Sequence, residues 1–287
     1  MVYNPPVQQR APKPQTQTVA QHKHGSRKFR GSVVAGYDEK REPTDKWKVE
    51  QRLIEGMLEE LPAKSSVLDC PVGTGRFLRC YVKNQLDFIG MDLSGDMLVR
   101  SAWKLNPEDA KRWVDDCGAW VARAVVLNEE GKPVLDKAGR TELTGEEISI
   151  SLSTLLPIGS FLPVGGKVAQ LGVRDEKLRA LEIEGKGILL PPADILRTGL
   201  PDKHVDVSVA CRITRWMIED HGPEGIVAML RELQRITRGK IILTARVYGH
   251  TWAVTEDLIT SALDGWKITR NVPGYEMAYR IIMLEPA

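Results

Sequence analysis

Val67-Leu-Asp-Cys-Pro-Val-Gly-Thr-Gly-Arg-Phe77 sets the architecture of this 287-residue chain. A short apolar run ends at Asp69, and Gly73 and Gly75 then form a turn into a predicted helix over 75–84. Glycines in such a turn let the backbone approach a ligand closely, because no side chain stands in the way. The helix N-terminus adds N–H groups directed at the same place. The pattern predicts a nucleotide-like ligand, but dinucleotide sites use the same turn.

A second acidic residue, at the end of the next predicted strand, narrows the choice of ligand. Asp92 ends a second apolar run over 88–92 and lies 23 positions after Asp69. A carboxylate at the end of a second strand can accept hydrogen bonds from both hydroxyls of an adenosine ribose. The two strands together predict an adenosine-containing ligand.

Most of the remaining chain alternates predicted helices and strands. A helix is expected after the N-cap Thr44 or Asp45, and further helices over 95–104, 223–238 and 255–263. Further strands are expected over 188–190, 205–211 and 240–247. This alternation predicts a mostly parallel sheet covered on both faces. The last two predicted strands, 266–270 and 279–284, have no helix between them and should form an antiparallel hairpin at the end of the sheet.

Two segments fall outside the alternation. Residues 105–186 contain a hairpin pattern around 121–142 and a strand pattern over 148–155, so we expect a β-rich insertion there. Residues 1–35 are rich in Pro, Gln and Thr and predict a flexible basic arm. Its end, His22 to Arg30, has two open interpretations: a solubilising tail, or a segment that docks on a phosphate backbone or an acidic protein surface.

Composition excludes several classes of protein. The net charge of +2 argues against a chain that binds nucleic acid with its whole surface. No apolar run approaches the roughly 20 residues that cross a bilayer, and no secretory signal is recognisable, so we expect a cytoplasmic protein without a membrane partner. The cysteines lack the spacing of metal ligands, so no metal site is predicted; they are Cys70, Cys80, Cys117 and Cys211.

Several stretches together resemble one family. Besides the glycine turn and the closing hairpin, three stretches carry the resemblance: Gly90-Met-Asp-Leu-Ser-Gly-Asp-Met-Leu98, Tyr37-Asp-Glu-Lys-Arg41 and Pro192-Ala-Asp-Ile-Leu196. They resemble the class I S-adenosylmethionine (SAM)-dependent methyltransferases, in particular the branch of ubiquinone and menaquinone biosynthesis enzymes. The chain departs from that family at Pro71 and Val72, where glycine and cysteine are usual. It also departs in the 102-position gap from Asp92 to Asp194, which is several times the usual length.

The resemblance implies an α/β fold of the class I methyltransferase type. Its Rossmann-like sheet would be mostly parallel with an antiparallel C-terminal hairpin strand. The sheet would be built from residues 36–104 and 187–287, separated by the insertion over 105–186. SAM would be the cofactor, with Asp92 on the ribose, Asp194 at the adenine amine, and Met97 or Leu93 against the adenine. The full set of implied cofactor-binding residues is Asp69, Pro71, Gly73, Gly75, Asp92, Leu93, Met97, Ala193 and Asp194.

The methyl acceptor is less clearly indicated. Ala210-Cys-Arg-Ile-Thr-Arg-Trp216 lacks the D/N-P-P-Y/F tetrapeptide of enzymes that methylate nucleic-acid amines. Arginine can bind a carboxylate or phosphate, tryptophan can stack on a flat acceptor, and histidine can act as a base. The candidates for acceptor binding or catalysis are Tyr37, Arg212, Arg215, Trp216 and His221, with Tyr248 a weaker one.

Three functions therefore stay open at this stage. The favoured one is a SAM-dependent methyltransferase with a small-molecule acceptor. The second is a structural or assembly protein on a methyltransferase-like scaffold, which would bind a protein partner through the arm or the insertion. The third is a nucleic-acid methyltransferase guided by residues 1–30.

Overall fold

The structure, a computed structural model, describes residues 29, 32–117, 120–137, 142, 148–150, 168–173, 178–183, 187–246, 254–277 and 279–287. Among the described residues, three helices precede the first strand: α1 Ser32–Ala35, α2 Tyr37–Arg41 and α3 Asp45–Glu59. Thr44 is the N-cap of α3, as expected, because its side chain accepts the backbone N–H of Trp47. Tyr248 and residues 1–28 of the arm lie outside the described residues.

In the described residues, the elements that follow comprise alternating helices and strands and, between them, a run of strands without intervening helices. In chain order they are β1 Ser66–Asp69, α4 Leu78–Lys83, β2 Asp87–Gly90, α5 Gly95–Leu105, α6 Pro107–Cys117, β3 Trp120–Ala124, β4 Ile148–Ile150, β5 Val168–Val173, β6 Leu181–Ile183, β7 Gly187–Leu189, β8 Val205–Ala210, α7 Thr214–Ile236, β9 Thr237–Ala245, α8 Glu256–Ala262, β10 Trp266–Pro273, the 3-10 turn Tyr275–Met277 and β11 Arg280–Pro286.

Two helix boundaries differ from expectation for backbone reasons. Helix α4 begins at Leu78 rather than at Gly75, because Gly75 has a φ of 76°, which no right-handed helix contains. Helix α7 begins at Thr214, well before the expected 223, and is interrupted at Gly222, where φ is 69°.

Eight strands form the main sheet in the order β10-β11-β9-β8-β1-β2-β7-β6. The five strands from β9 to β7 run parallel, as β8 pairs with β9 and β1, and β2 pairs with β1 and β7. Strand β11 is antiparallel to both β9 and β10, and β6 is antiparallel to β7. The architecture is therefore the predicted mixed α/β sheet with a C-terminal antiparallel hairpin.

Both faces of the sheet are covered. Neighbouring strand residues point to opposite faces, so Val67 belongs to a core shared with Ile54 of α3, and Leu68 to a core shared with Leu230 of α7. None of the helices in the described part of the chain is long and apolar enough to cross a membrane.

Strand order reverses at β1. The chain runs from β1 outward to β2 and β7 on one side, and returns on the other side as β8 and β9. Ligands of open α/β sheets bind beyond the carboxyl ends of the strands at such a reversal. The topology thus directs attention to the residues that follow Asp69, Gly90, Leu189 and Ala210.

The segment between the two halves of the sheet carries a second, separate sheet of three antiparallel strands in the order β4-β3-β5. The hairpin contacts expected near 121–142 are present in part, since Val134 N–H donates to Val126 O and Leu127 bridges Pro133. Two elements within the expected limits of 105–186 contact the main sheet or its core. Strand β6 belongs to the main sheet, and Trp113 of α6 is buried in the main core.

Candidate functional site

A cavity opens at the carboxyl ends of β1, β2, β7 and β8, where the strand order reverses. The volume of the cavity is about 140 Å³. Its walls come from the loops after those four strands, from the N-terminal helices and from α7. The lining residues include Phe29, Tyr37, Trp47, Asp69, Pro71, Gly73, Arg76, Asp92, Leu93, Met97, Ala193, Asp194, Arg212, Trp216 and Asp220.

The glycine turn leaves room for a ligand at one position only. Gly73 lines the cavity with a φ of 56°, and a Cβ added there would meet no atom within 4 Å. Gly75 serves a different purpose. A Cβ at Gly75 would lie 2.7 Å from Leu78 and 2.8 Å from Ser101, so this glycine allows the turn to pack against α5.

Asp92 is placed where it can serve both the turn and a ligand. Its side chain is 8% exposed, and its two oxygens accept the backbone N–H groups of Gly73 at 2.9 Å and Ser94 at 2.8 Å. These bonds fix the orientation of the carboxylate at the edge of the cavity, and a carboxylate can also accept hydrogen bonds from hydroxyl groups. The arrangement suits a pair of ribose hydroxyls.

Ala193 and Asp194 reach the same cavity from the loop after β7. The backbone N–H of Ala193 donates to the carbonyl of Asp92 at 3.0 Å, which ties the two loops together. One carboxylate oxygen of Asp194 accepts the N–H of Leu196 at 2.9 Å. The two acids implied by the family resemblance therefore line one cavity, although 102 positions separate them in the chain.

Asp69 lines the cavity from the end of β1 and is 1% exposed. Burial raises the pKa of Asp69 to about 8. A hydrogen bond that Tyr81 Oη donates at 3.1 Å acts in the opposite direction and lowers this pKa, but its effect is smaller than that of burial. Near neutral pH this carboxyl is therefore largely protonated. A cationic ligand beside it would favour loss of the proton.

Four aromatic side chains form an aromatic wall: Phe29, Tyr37, Trp47 and Trp216. The Phe29 ring meets Trp216 edge-on at 5.5 Å and Tyr37 at 6.0 Å, and Tyr37 meets Trp47 at 6.1 Å. Ser94 Oγ donates to the Phe29 carbonyl at 2.5 Å. The wall is thereby anchored to the loop that carries Asp92.

Helix α2 is fixed over the glycine turn by a buried carboxylate. Asp38 accepts a hydrogen bond from Thr74 Oγ1 at 2.6 Å and forms an ion pair with Lys104 Nζ at 2.8 Å. Tyr37, the preceding residue, consequently faces the cavity, and burial raises the pKa of its phenol. Tyr37 is therefore a neutral hydrogen-bonding group rather than a phenolate.

A second polar group, the arginine cluster, consists of Glu50, Arg76 and Arg212. Glu50 is fully buried, and its Oε2 accepts from Arg76 Nη1 at 2.8 Å and from Arg212 Nε at 2.5 Å. Arg76 also donates to the Trp47 carbonyl, and its guanidinium lies 3.8 Å from the centre of the Trp47 ring. Both arginines line the cavity.

The structure brings most of the sequence-predicted site residues together. Gly75, Arg215 and His221 are the exceptions, as the cavity wall in the described part of the chain does not include them. Arg215 instead pairs with Glu219 at 2.7 Å. Cys211 lines the cavity, but burial raises the pKa of its thiol well above the usual range, so it remains a neutral thiol.

Several residues of the site were not predicted: Phe29, Trp47, Glu50 and Arg76. For one of them, Glu50, the sequence contains a pattern that could have identified it. Glu50 lies on the apolar face of α3, three residues after Trp47 and four before Ile54, and a carboxylate at such a position requires a partner. Phe29 had none, because it lies in a segment whose composition predicts no fixed structure.

Comparisons with known proteins bear on the fold. No protein-family model matches the sequence, and no curated protein matches it significantly. Among solved structures, the magnesium protoporphyrin IX methyltransferase of Synechocystis PCC 6803 with bound SAH is similar at 12% identity and a TM-score of 0.50, covering 91% of this chain and 97% of that one. A SAM-dependent methyltransferase of Leishmania major is similar at 11% identity and a TM-score of 0.50, covering 88% and 79%. At these identities the likeness shows the fold alone.

Proposed function

We propose that this protein is a SAM-dependent methyltransferase. The observation that carries the proposal is the placement of Asp92, Gly73 and Asp194 around one cavity at the reversal of the sheet. The open space beside Gly73 and the carboxylate of Asp92 at the edge of the same cavity suit an adenosine ligand. The solved structures of similar fold include a methyltransferase holding SAH, the demethylated form of SAM. The motifs at 37–41 and 90–98 support the ubiquinone and menaquinone branch of the family.

The residues around the cavity have separate roles in this proposal. Asp92 accepts the ribose hydroxyls, Asp194 accepts the adenine amine, and Met97 and Leu93 pack against the adenine. Pro71 and Gly73 border the methionine part, and Asp69 provides a carboxyl that can ionise beside a positive charge. When bound, SAM supplies a methyl group on a sulfonium, ready for in-line displacement.

The acceptor side is built for positioning. The aromatic wall excludes water, and Tyr37 and Trp216 can orient a flat molecule. Much of methyl transfer consists of holding two reactants in line, which can supply several kcal/mol, on the order of 7–11, of the barrier reduction. A small-molecule acceptor is favoured, because side chains from three parts of the chain enclose the space beyond the adenosine site.

Calorimetric titration with SAM and with SAH tests the proposal. We expect micromolar affinity for both ligands in the wild-type protein. Asp92→Ala should weaken binding by about 1–3 kcal/mol, because the ribose hydroxyls lose a charged acceptor. Asp92→Asn, which keeps one oxygen and can hold one of the two backbone N–H groups, should give a smaller loss.

Asp87→Ala is the matched control, since Asp87 lies on the same strand, β2, but is exposed. Its affinity for SAH should equal that of the wild type. A folded wild-type protein that binds neither ligand would contradict the proposal and favour a structural or assembly role for the same scaffold.

A further inference from the structure

We propose that the methyl acceptor carries a carboxylate or a comparable anionic group on a planar body, and that the arginine cluster binds this group. The inference rests on the proposed function and names the substrate class of the same site. It follows from the charge, the unpartnered hydrogen-bond donors, the backbone and the position of the cluster.

The charge of the cluster is unbalanced. Two guanidinium groups, Arg76 and Arg212, share one carboxylate, and both approach the same atom, Glu50 Oε2. Glu50 is fully buried, and the side chain of Arg76 is only 8% exposed. Burial of an unpaired charge is costly unless an opposite charge accompanies it. One further anion would balance the cluster.

The cluster also has donors whose hydrogen bonding the described residues leave incomplete. Arg212 Nη2 and Arg76 Nε are buried, and neither has a hydrogen-bond partner among the described residues. The ring centres of Trp47 and Tyr279 lie 5.8 Å and 5.7 Å from the Arg212 guanidinium, within cation–π range. Nε of Arg212 is bonded to Glu50, and the guanidinium that it belongs to lines the cavity, where it can meet a ligand oxygen.

The backbone at Arg212 is strained in a way that fits a functional position. Its φ of 57° is unusual for a residue other than glycine, and such strain tends to occur at binding and catalytic sites. The residue comes two positions after the end of β8, at the carboxyl edge of the sheet. Burial lowers the pKa of the neighbouring Lys46, and the charge of Arg212 lowers it further, which agrees with an excess of positive charge here.

Two carboxylates could occupy this subsite: that of the methionine part of SAM, or one on the acceptor. The acceptor fits better, because the Trp47 ring joins the arginine cluster to the aromatic wall. Trp47 lies 3.8 Å from Arg76 and 6.1 Å from Tyr37, so one ligand can contact an aromatic ring and an arginine together. A flat aromatic acid has both features.

Binding of benzoate to the SAH-saturated protein tests the inference, with benzamide as the uncharged probe of equal shape. We expect benzoate to bind and benzamide to bind at least about tenfold more weakly, from the loss of a charged hydrogen-bond partner. Arg212→Gln should weaken benzoate binding to a similar extent. Glu50→Gln should strengthen it, because removal of the carboxylate leaves two uncompensated guanidinium groups.

The opposite signs of these two effects separate ligand binding from a structural role. If the cluster only holds the fold together, both variants would weaken binding alike, and the inference would be overturned. Arg79→Gln is the control: Arg79 is exposed and close in sequence to Arg76, so its variant should bind benzoate like the wild type.

SAH and 5′-methylthioadenosine, which lacks the whole amino acid part, distinguish the two carboxylates. If Arg212→Gln weakens SAH binding but leaves methylthioadenosine binding unchanged, and benzoate does not bind, the cluster serves the cofactor and the acceptor assignment is wrong. If the wild type binds SAH normally but prefers neither benzoate nor benzamide, this inference alone fails. Absence of SAH binding would defeat the proposed function as well.

Discussion

Asp69 shows how a single buried side chain links the stability of this protein to its ligand. The residue ends β1, lines the cavity and has a pKa of about 8, compared with 3.8 for an exposed aspartate. Between these two pH values the folded protein keeps a proton that the unfolded chain has lost. The contribution of Asp69 to the free energy of unfolding therefore falls as pH rises from about 4 to 8, and levels off above 8.

Asp69→Asn should flatten this part of the stability profile. One titrating group contributes up to about 1.4 kcal/mol per pH unit, so the wild type should lose stability between pH 5 and 8 relative to the variant. Urea denaturation at several pH values measures the difference. Asp87→Asn, at an exposed position, is the control and should keep the wild-type slope. An unchanged slope in Asp69→Asn would show that Asp69 is ionised in the folded protein.

Phe29 is a second single residue whose substitution should have a measurable effect, here on the release of SAH. Its ring lines the cavity and contacts Trp216 and Tyr37, and such aromatic pairs contribute about 0.5–1.5 kcal/mol each. Phe29→Ala should therefore release SAH several-fold faster, which stopped-flow fluorescence can follow. Val33→Ala, at a 47% exposed position nearby, should leave the dissociation rate unchanged. Equal rates in both variants would mean that Phe29 does not retain the ligand.

Residues of the site differ in how far the sequence can predict them. Asp92 and Gly73 follow strands directly, so local pattern and family resemblance are enough to place them. Arg76 and Glu50 act together although 26 positions separate them, and only packing of α3 beside the glycine turn brings them into contact. Pairings of that kind depend on how helices cross, which single-sequence periodicity does not encode.

At the scale of helices and strands, the segment between the two halves of the sheet shows which elements pack with the main sheet. Helix α6 and strand β6 lie at its ends, and Trp113 Nε1 of α6 donates to the carbonyl of Arg179, just before β6, at 2.7 Å. The two ends therefore come together at the main sheet. Helix α6 and strand β6 lie in the part of the chain that the family resemblance does not cover, so the sequence did not indicate that they pack with the main sheet.

This arrangement predicts different outcomes for two deletions. Replacing 118–177 by a short Gly-Ser linker should leave a folded protein that binds SAH, because the hydrogen bond from Trp113 shows that the ends are close. Deleting 105–186 should prevent folding, because it removes five buried core residues: Ala110 and four larger side chains. Each of the four contributes about 1.5–3 kcal/mol; they are Trp113, Val114, Leu178 and Ile183. Their sum is comparable to the whole stability of a domain, about 5–15 kcal/mol.

Circular dichroism melting and SAH titration of both deletion variants provide the measurement. A cooperative transition for the 118–177 variant and none for the 105–186 variant is the expected result. Folding of the longer deletion would show that α6 and β6 are dispensable. Failure of the shorter one would show that the three-stranded sheet completes the main domain.

At the scale of the whole molecule, the order of strands follows from the chain. Alternating strands and helices required a parallel sheet, and the turn at Val272-Pro-Gly274 required the closing hairpin, which the structure contains as β10 and β11. The antiparallel edge strand β6 was not predicted, since its three residues are too few for a periodic pattern. The reversal of strand order at β1 then places the acids at 92 and 194 around one cavity.

A crystal structure of the protein grown with SAH tests the central claim most directly, because it locates the ligand among these residues. We predict the ribose hydroxyls within hydrogen-bond distance of Asp92, the adenine between the loops that carry Met97 and Asp194, and the methionine part over Gly73. SAH bound elsewhere on the molecule, or a cavity without SAH at saturating concentration, would contradict the account.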